Sequence, residues 1–125
     1  MQFNLDVYNK NQKQIKMAIT YNWVISQLEC KAKEGDLTDV VYTIHWRYQA
    51  NETDGDKSYF AEVYSSTNCP NPNPANFTPY ADLTQAQVEG WLTNLLDVPA
   101  MQANLATQIE TQKNPPIVTP PLPWN

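Results

Sequence analysis

His45 is the one histidine in the chain, and Cys30 and Cys69 are its two cysteines. With no second histidine and no Cys-x-x-Cys pair, a zinc site lacks ligands. The local pattern places His45 on a strand, on the face opposite Trp46 and beside Tyr64, where a lone histidine reads as structural. With no export signal, the cysteines read as free thiols, Cys30 as a small buried hydrophobe; a disulfide between them is the alternative. Asp54, Gly55 and Asp56 resemble a fragment of a calcium loop, but its repeating oxygen ligands and terminal glutamate are missing. The 13 carboxylates show no pair marked out by spacing, and 3 glycines are too few for a phosphate loop. Tryptophans and tyrosines can stack on sugars or bases, yet each of the 4 tryptophans is accounted for by core or tail anchoring. The expectation is a protein that is not an enzyme, with no catalytic residue, no metal, no cofactor and no small-molecule substrate.

The elements around these residues are clearer than their chemistry. Val40, Tyr42, Ile44, Trp46 and Tyr48 alternate with Val41, Thr43, His45, Arg47 and Gln49, the period of a half-buried strand. Lys57 to Ser66 is a second β-prone arm, and Asp54-Gly55 between them suits a tight turn. Folding the arms about that pair sets Glu52 opposite Lys57, Arg47 opposite Glu62, Tyr48 opposite Ala61 and Trp46 opposite Val63. Such cross-strand pairs contribute roughly 0.2–1 kcal/mol each. Upstream, Tyr21, Trp23 and Ile25 share one parity and Leu28, Cys30 and Ala32 the other, the phase change of a β-bulge. A turn at Glu34-Gly35-Asp36 then places Val24, Leu28 and Cys30 on the face of Val40, Tyr42 and Trp46. A three-stranded antiparallel meander follows, with Val40–Ala50 in the middle.

Beyond the sheet, the prolines between Asn68 and Tyr80 predict a stiff, extended crossing anchored by Phe77 and Tyr80. Thr84 and Gln87 fit a capping box ahead of Val88, Trp91, Leu92 and Leu95 at helical spacing. Asp97 caps a second helix with Pro99 in its first turn and a stripe of Val98, Met101, Leu105 and Ile109. The expected fold is α+β: a three- to five-stranded antiparallel sheet covered on one face by a C-terminal helical hairpin, with an extended Pro-rich tail.

Both ends read as arms. Residues 1–20 are an N-terminal extended arm or edge hairpin in which Phe3, Leu5 and Val7 alternate, suited to strand addition. Residues 21–113 are the core domain, and 114–125 a strap held in polyproline-like form by five prolines between Pro115 and Pro123. Disordered tails are poor in large apolar residues, so Ile117, Val118, Leu122 and Trp124 mark a strap that docks on its own domain or on a partner. Phe3, Leu5, Val7, Ile117, Val118, Leu122 and Trp124 are thus the candidate partner-binding residues.

Composition narrows the partners. A net charge of −5 disfavours non-specific nucleic-acid binding, which needs a basic footprint. The lysines at 10, 13, 16, 31 and 33 read as ordinary solvated side chains. No apolar run approaches the ~18–20 residues of a membrane span, and no secretory signal opens the chain. The two Asn-x-Thr matches, at Asn51 and Asn76, read as chance.

Three stretches together carry a resemblance: Asp36-Leu-Thr-Asp-Val-Val-Tyr-Thr-Ile-His-Trp-Arg-Tyr48, Asn76-Phe-Thr-Pro-Tyr-Ala-Asp-Leu-Thr-Gln-Ala-Gln-Val-Glu-Gly-Trp-Leu92, and Gln112-Lys-Asn-Pro-Pro through Leu-Pro-Trp124. The pattern, over roughly residues 21–124, resembles small, largely uncharacterised virion-associated proteins of tailed bacteriophages, notably those of cyanobacteria and other marine bacteria. The resemblance implies an accessory subunit of the virion, assembled in the host cytoplasm in many copies. It implies partners among other virion proteins: the major capsid protein for a decoration or cement protein, or neck, tail or baseplate subunits. A non-virion phage protein that binds a host factor is the remaining reading. The resemblance assigns no binding residues.

Overall fold

A computed structural model describes residues 19–124. The N-terminal positions Phe3, Leu5 and Val7 lie outside the described residues. Three strands, β1 (Thr20–Glu34), β2 (Leu37–Asp54) and β3 (Lys57–Asn68), form an antiparallel meander in the order β1-β2-β3. Two helices follow, α1 (Gln85–Leu95) and α2 (Val98–Lys113). They cover one face of the sheet. Between β3 and α1 the chain crosses with only two single 3-10 turns, Pro74–Asn76 and Tyr80–Asp82.

Both hairpins close on a Gly-Asp pair. Glu34 pairs with Leu37 and Asp54 with Lys57, leaving Gly35-Asp36 and Gly55-Asp56 as two-residue loops. Each glycine takes a positive φ, +62° and +67°, and the aspartate after it does not. Positive φ at the first loop residue alone is the glycine requirement of a type II′ turn, whose twist matches that of the strands. The second turn is tighter than the sequence predicts, and this moves the β2–β3 register by two residues. Trp46 faces Ser65, Arg47 faces Tyr64, Tyr48 faces Val63 and Glu52 faces Tyr59. A shift of two preserves every face. Arg47 still meets Glu62, now on the diagonal at 2.8 Å. His45 lies opposite Ser66 rather than beside Tyr64.

The expected bulge in β1 is present. Ile25 pairs with Trp46 and Gln27 with His45, so Ser26 is the extra residue. A second bulge, in β2, is not legible in the alternation: Glu29 pairs with Thr43 and Cys30 with Val41, which leaves Tyr42 over. Tyr42 is 41% exposed, with Lys31 Nζ 4.9 Å from its ring centre. The core face of β2 is therefore Val41, Ile44, Trp46, Tyr48 and Ala50. Val24, opposite Arg47, lies on the other face, contrary to the expected set.

That face packs on Val88 and Leu92 of α1 and on Leu105 and Ile109 of α2. Aromatic contacts extend it across β1. Trp23 meets Trp46 edge-on at 5.5 Å and Tyr48 at 4.4 Å, and Tyr21 stacks on Tyr48. Polar ends of the buried rings find partners, as burial requires. Trp46 Nε1 donates to Thr67 Oγ1 at 2.8 Å, and Gln102 Nε2 donates to Tyr48 Oη at 2.9 Å.

The helix starts follow the sequence. Thr84 Oγ1 accepts from Gln87 N at 3.2 Å, and Asp97 Oδ1 from Ala100 N at 3.1 Å. The capping box is only half formed, because Gln87 Nε2 donates to Thr78 Oγ1 at 2.9 Å instead of reaching back. Leu95 is 42% exposed, and its place in the core is taken by Leu96. In the crossing, Tyr80 is exposed, and Cys69 and Leu83 pack on the core as the anchors.

Candidate interaction surface

The strap leaves α2 at Asn114. Ile117, Val118, Leu122 and Trp124 are 84%, 65%, 57% and 78% exposed. Four large apolar side chains thus stand in water on a backbone whose shape proline fixes. Single exposed apolar residues are ordinary, but a run of them marks a binding surface. The strap's root is firmly held. Lys113 forms an ion pair with Glu52, which is 6% exposed at the end of β2. Its ammonium also lies 5.6 Å from the centre of the Tyr59 ring. The hydrogen bond that Lys113 donates to Glu52 lifts the Lys113 pKa above its ordinary value, and the Glu52 charge adds to this. Glu52 therefore does not make the surface pair with Lys57 that the sequence suggests. Next to it, Gln112 Nε2 donates to the Phe60 carbonyl at 2.6 Å, and Phe60 N donates to Gln112 Oε1 at 3.4 Å. One side-chain amide so occupies a rung of the β3 edge, which would otherwise offer unpaired backbone groups.

At the other end of the sheet is a groove of about 320 Å³. Its walls come from three separate stretches: Val41 of β2, Cys69 and Phe77 of the crossing, and Leu83, Trp91 and Leu95 at and along α1. Its size is at the small end of ligand sites, ~300–1,000 Å³. Asparagines of the crossing and of α1 stand among the apolar groups. The crossing is held to the sheet where Cys69 N donates to the Tyr42 carbonyl at 2.8 Å. Sequence reasoning did not find this groove, because no single stretch carries its pattern.

The groups with reactive potential are placed quietly. Cys30 and Cys69 are free thiols. Burial pushes both pKa values up, with the Asp39 charge contributing at Cys30, the reverse of what an activated thiolate needs. His45 Nε2 contacts the Glu29 carboxylate on the open face of the sheet. Among the described residues no three His, Cys, Asp or Glu side chains converge on a point fit for a metal ion. Among them, too, no helix is long and apolar enough to cross a membrane.

No curated protein and no solved structure matches the chain. Residues 18–124 match the family model described as Domain of unknown function (DUF7936), and the chain belongs to that family.

Proposed function

We propose that this protein is a structural accessory subunit of a tailed-phage virion, one that decorates the head and grips neighbouring subunits through its terminal segments. The observation that carries the reading is the strap: Ile117, Val118, Leu122 and Trp124 exposed together on a proline-stiffened arm rooted at Lys113. An arm of this kind needs a neighbour to bury it. Ordering a segment that proline already holds extended costs less entropy than ordering a flexible one. The phage assignment rests on the resemblance of the three quoted stretches, which leaves head, neck and tail open; the capsid partner is our own choice among them. Phe3, Leu5 and Val7 provide the second attachment in this reading.

Quantitative mass spectrometry of purified particles tests the proposal. A decoration subunit is expected at hundreds of copies per particle. Copies in multiples of six or twelve place it instead in the neck, tail or baseplate. Particles without the chain refute the structural role and favour a protein that acts on a host factor. A chain carrying Trp124→Ala is expected to be depleted from particles relative to wild type.

A further inference from the structure

We infer that the strap of one copy seats in the groove of a second copy, so that the protein joins to itself head to tail. The inference rests on the reading that the strap makes intermolecular contacts, and it names the neighbour.

The two surfaces match in chemistry. Proline has no N–H, so the strap presents a backbone rich in acceptors and poor in donors, with large apolar side chains beside it. The groove presents the reverse: apolar walls at Phe77, Leu83 and Trp91, with amide side chains at Asn71, Asn73, Asn76 and Asn94. The Asn73 oxygen is already engaged by Ala75 N at 3.0 Å and the Asn71 oxygen by Lys31 Nζ at 3.5 Å. Neither amide nitrogen has a partner among the described residues. Aromatic-lined grooves with side-chain donors are the usual receivers of polyproline segments. The size also matches. About 320 Å³ is roughly twice the ~150 Å³ apolar cavity that takes up a benzene, which leaves room for an indole and an adjoining proline ring.

The exposure of the strap favours a second copy over the same one. The strap starts where Lys113 meets Glu52, at the β2–β3 turn. The groove begins at Asp39–Val41, eleven residues back along β2, or ~36 Å at ~3.3 Å per residue. Asn114 to Trp124 spans only ~31 Å at ~3.1 Å per residue. The route back over the ~24 Å of α2 reaches the groove's rim at Leu95 with ~7 Å of chain to spare, so it is the one path that returns the strap to its own groove. The observed strap does not take that route, since Trp124 is 78% exposed. A neighbour's groove imposes no such tether. A head-to-tail contact of this type builds rings where the rotation closes and linear arrays where it does not.

Two full-length variants test it. Trp124→Ala removes the anchor and leaves the groove. Leu95→Arg blocks the rim at an exposed helix position and leaves the strap. Wild type is expected to show a concentration-dependent mass above 14.3 kDa by sedimentation velocity, with both variants monomeric. Mixed, the variants are expected to form a 1:1 heterodimer and nothing larger, because only one strap–groove pair remains intact. A peptide of residues 114–125 should bind the Trp124→Ala chain, and at least tenfold more weakly when Leu95→Arg is added. A monomeric wild type, or variants that do not complement, overturns the inference. A monomeric chain still incorporated into particles through Trp124 would sink self-association alone and leave the proposed function standing. Absence from particles despite self-association would do the opposite.

Discussion

Replacing Trp46 with alanine probes the sheet face on which the whole domain is built. The side chain is 5% exposed, edge-on to Trp23 at 5.5 Å, and its Nε1 donates to Thr67 Oγ1 at 2.8 Å. Truncating a buried tryptophan costs about 3–5 kcal/mol through lost transfer energy and the cavity that remains. The edge contact with Trp23 supplies ~0.5–1.5 kcal/mol of this, and the hydrogen bond ~0.5–1.5 kcal/mol. Domains of this size are stable by ~5–15 kcal/mol, so the variant loses a large share and falls in Tm by more than ~12 °C. Trp46→Phe, which keeps a ring and loses the indole donor, should lie well short of Trp46→Ala. Urea unfolding followed by far-UV circular dichroism reads the change without depending on tryptophan fluorescence. Tyr64→Ala is the contrast: a ring on the open face, 68% exposed, with Arg47 4.8 Å from its centre, expected to cost under ~1 kcal/mol. A loss below ~1 kcal/mol for Trp46→Ala, or a loss for Tyr64→Ala that equals it, would refute the assignment of the helix-covered face as the core.

Lys113→Ala leaves the Glu52 carboxylate buried with no cation, so Tm is expected to fall. Replacing both Lys113 and Glu52 by leucine should recover much of that loss, since an apolar pair needs no compensation; no recovery refutes the argument. Alkaline pH should weaken the fold. Burial holds the Cys30 and Cys69 thiols above their ordinary 9.0, and burial reinforced by Tyr48 holds the Tyr21 phenol above 10.0. The Glu52 hydrogen bond holds Lys113 above 10.5. Each group keeps its proton more tightly when folded, so the unfolded chain binds fewer protons as pH rises. Tm should therefore decline from about pH 9 upward, and the early part of the decline should disappear in a Cys30→Ser/Cys69→Ser chain relative to its own neutral-pH Tm. Gly55→Ala meets no neighbour within 4 Å, so its cost, about 1–2 kcal/mol, should come from the positive φ alone. Gly90→Ala, in open space on α1, should instead stabilise by about 0.5–1 kcal/mol; both are measurable by urea titration.

What was legible in the sequence was whatever a local period encodes. Strand alternation, the phase change at Ser26, the caps at Thr84 and Asp97 and the proline tail each lie within a few consecutive residues. Errors arose where two arrangements share one period. A β2–β3 register two residues away keeps all faces, so the alternation cannot reject it; only the tightness of the Gly55-Asp56 turn decides. Val40, Val41 and Tyr42 are all apolar, so the bulge at Tyr42 leaves no gap in the pattern. Glu52 and Lys113 are 61 residues apart, and nothing local announces their meeting. The groove needs three stretches brought together. The apolar residues of the strap could be read only as a choice between own domain and partner, and the described arm leaves all four of them exposed.

The two bulges have a consequence for how the length of such a chain can vary. Ser26 has no opposite number on β2, and Tyr42 has none on β1. A chain without either residue keeps every remaining β1–β2 partner, and each of those residues still looks the way it did, inward or outward; loss of Tyr42 also gives up the hydrogen bond its carbonyl accepts from Cys69 N. The loss removes local coiling and misaligns nothing between β1 and β2. Loss of any other single residue within the paired stretches would turn half a strand inside out. Shortened homologues should therefore carry their gaps at these two places, opposite neither the helices nor the turns.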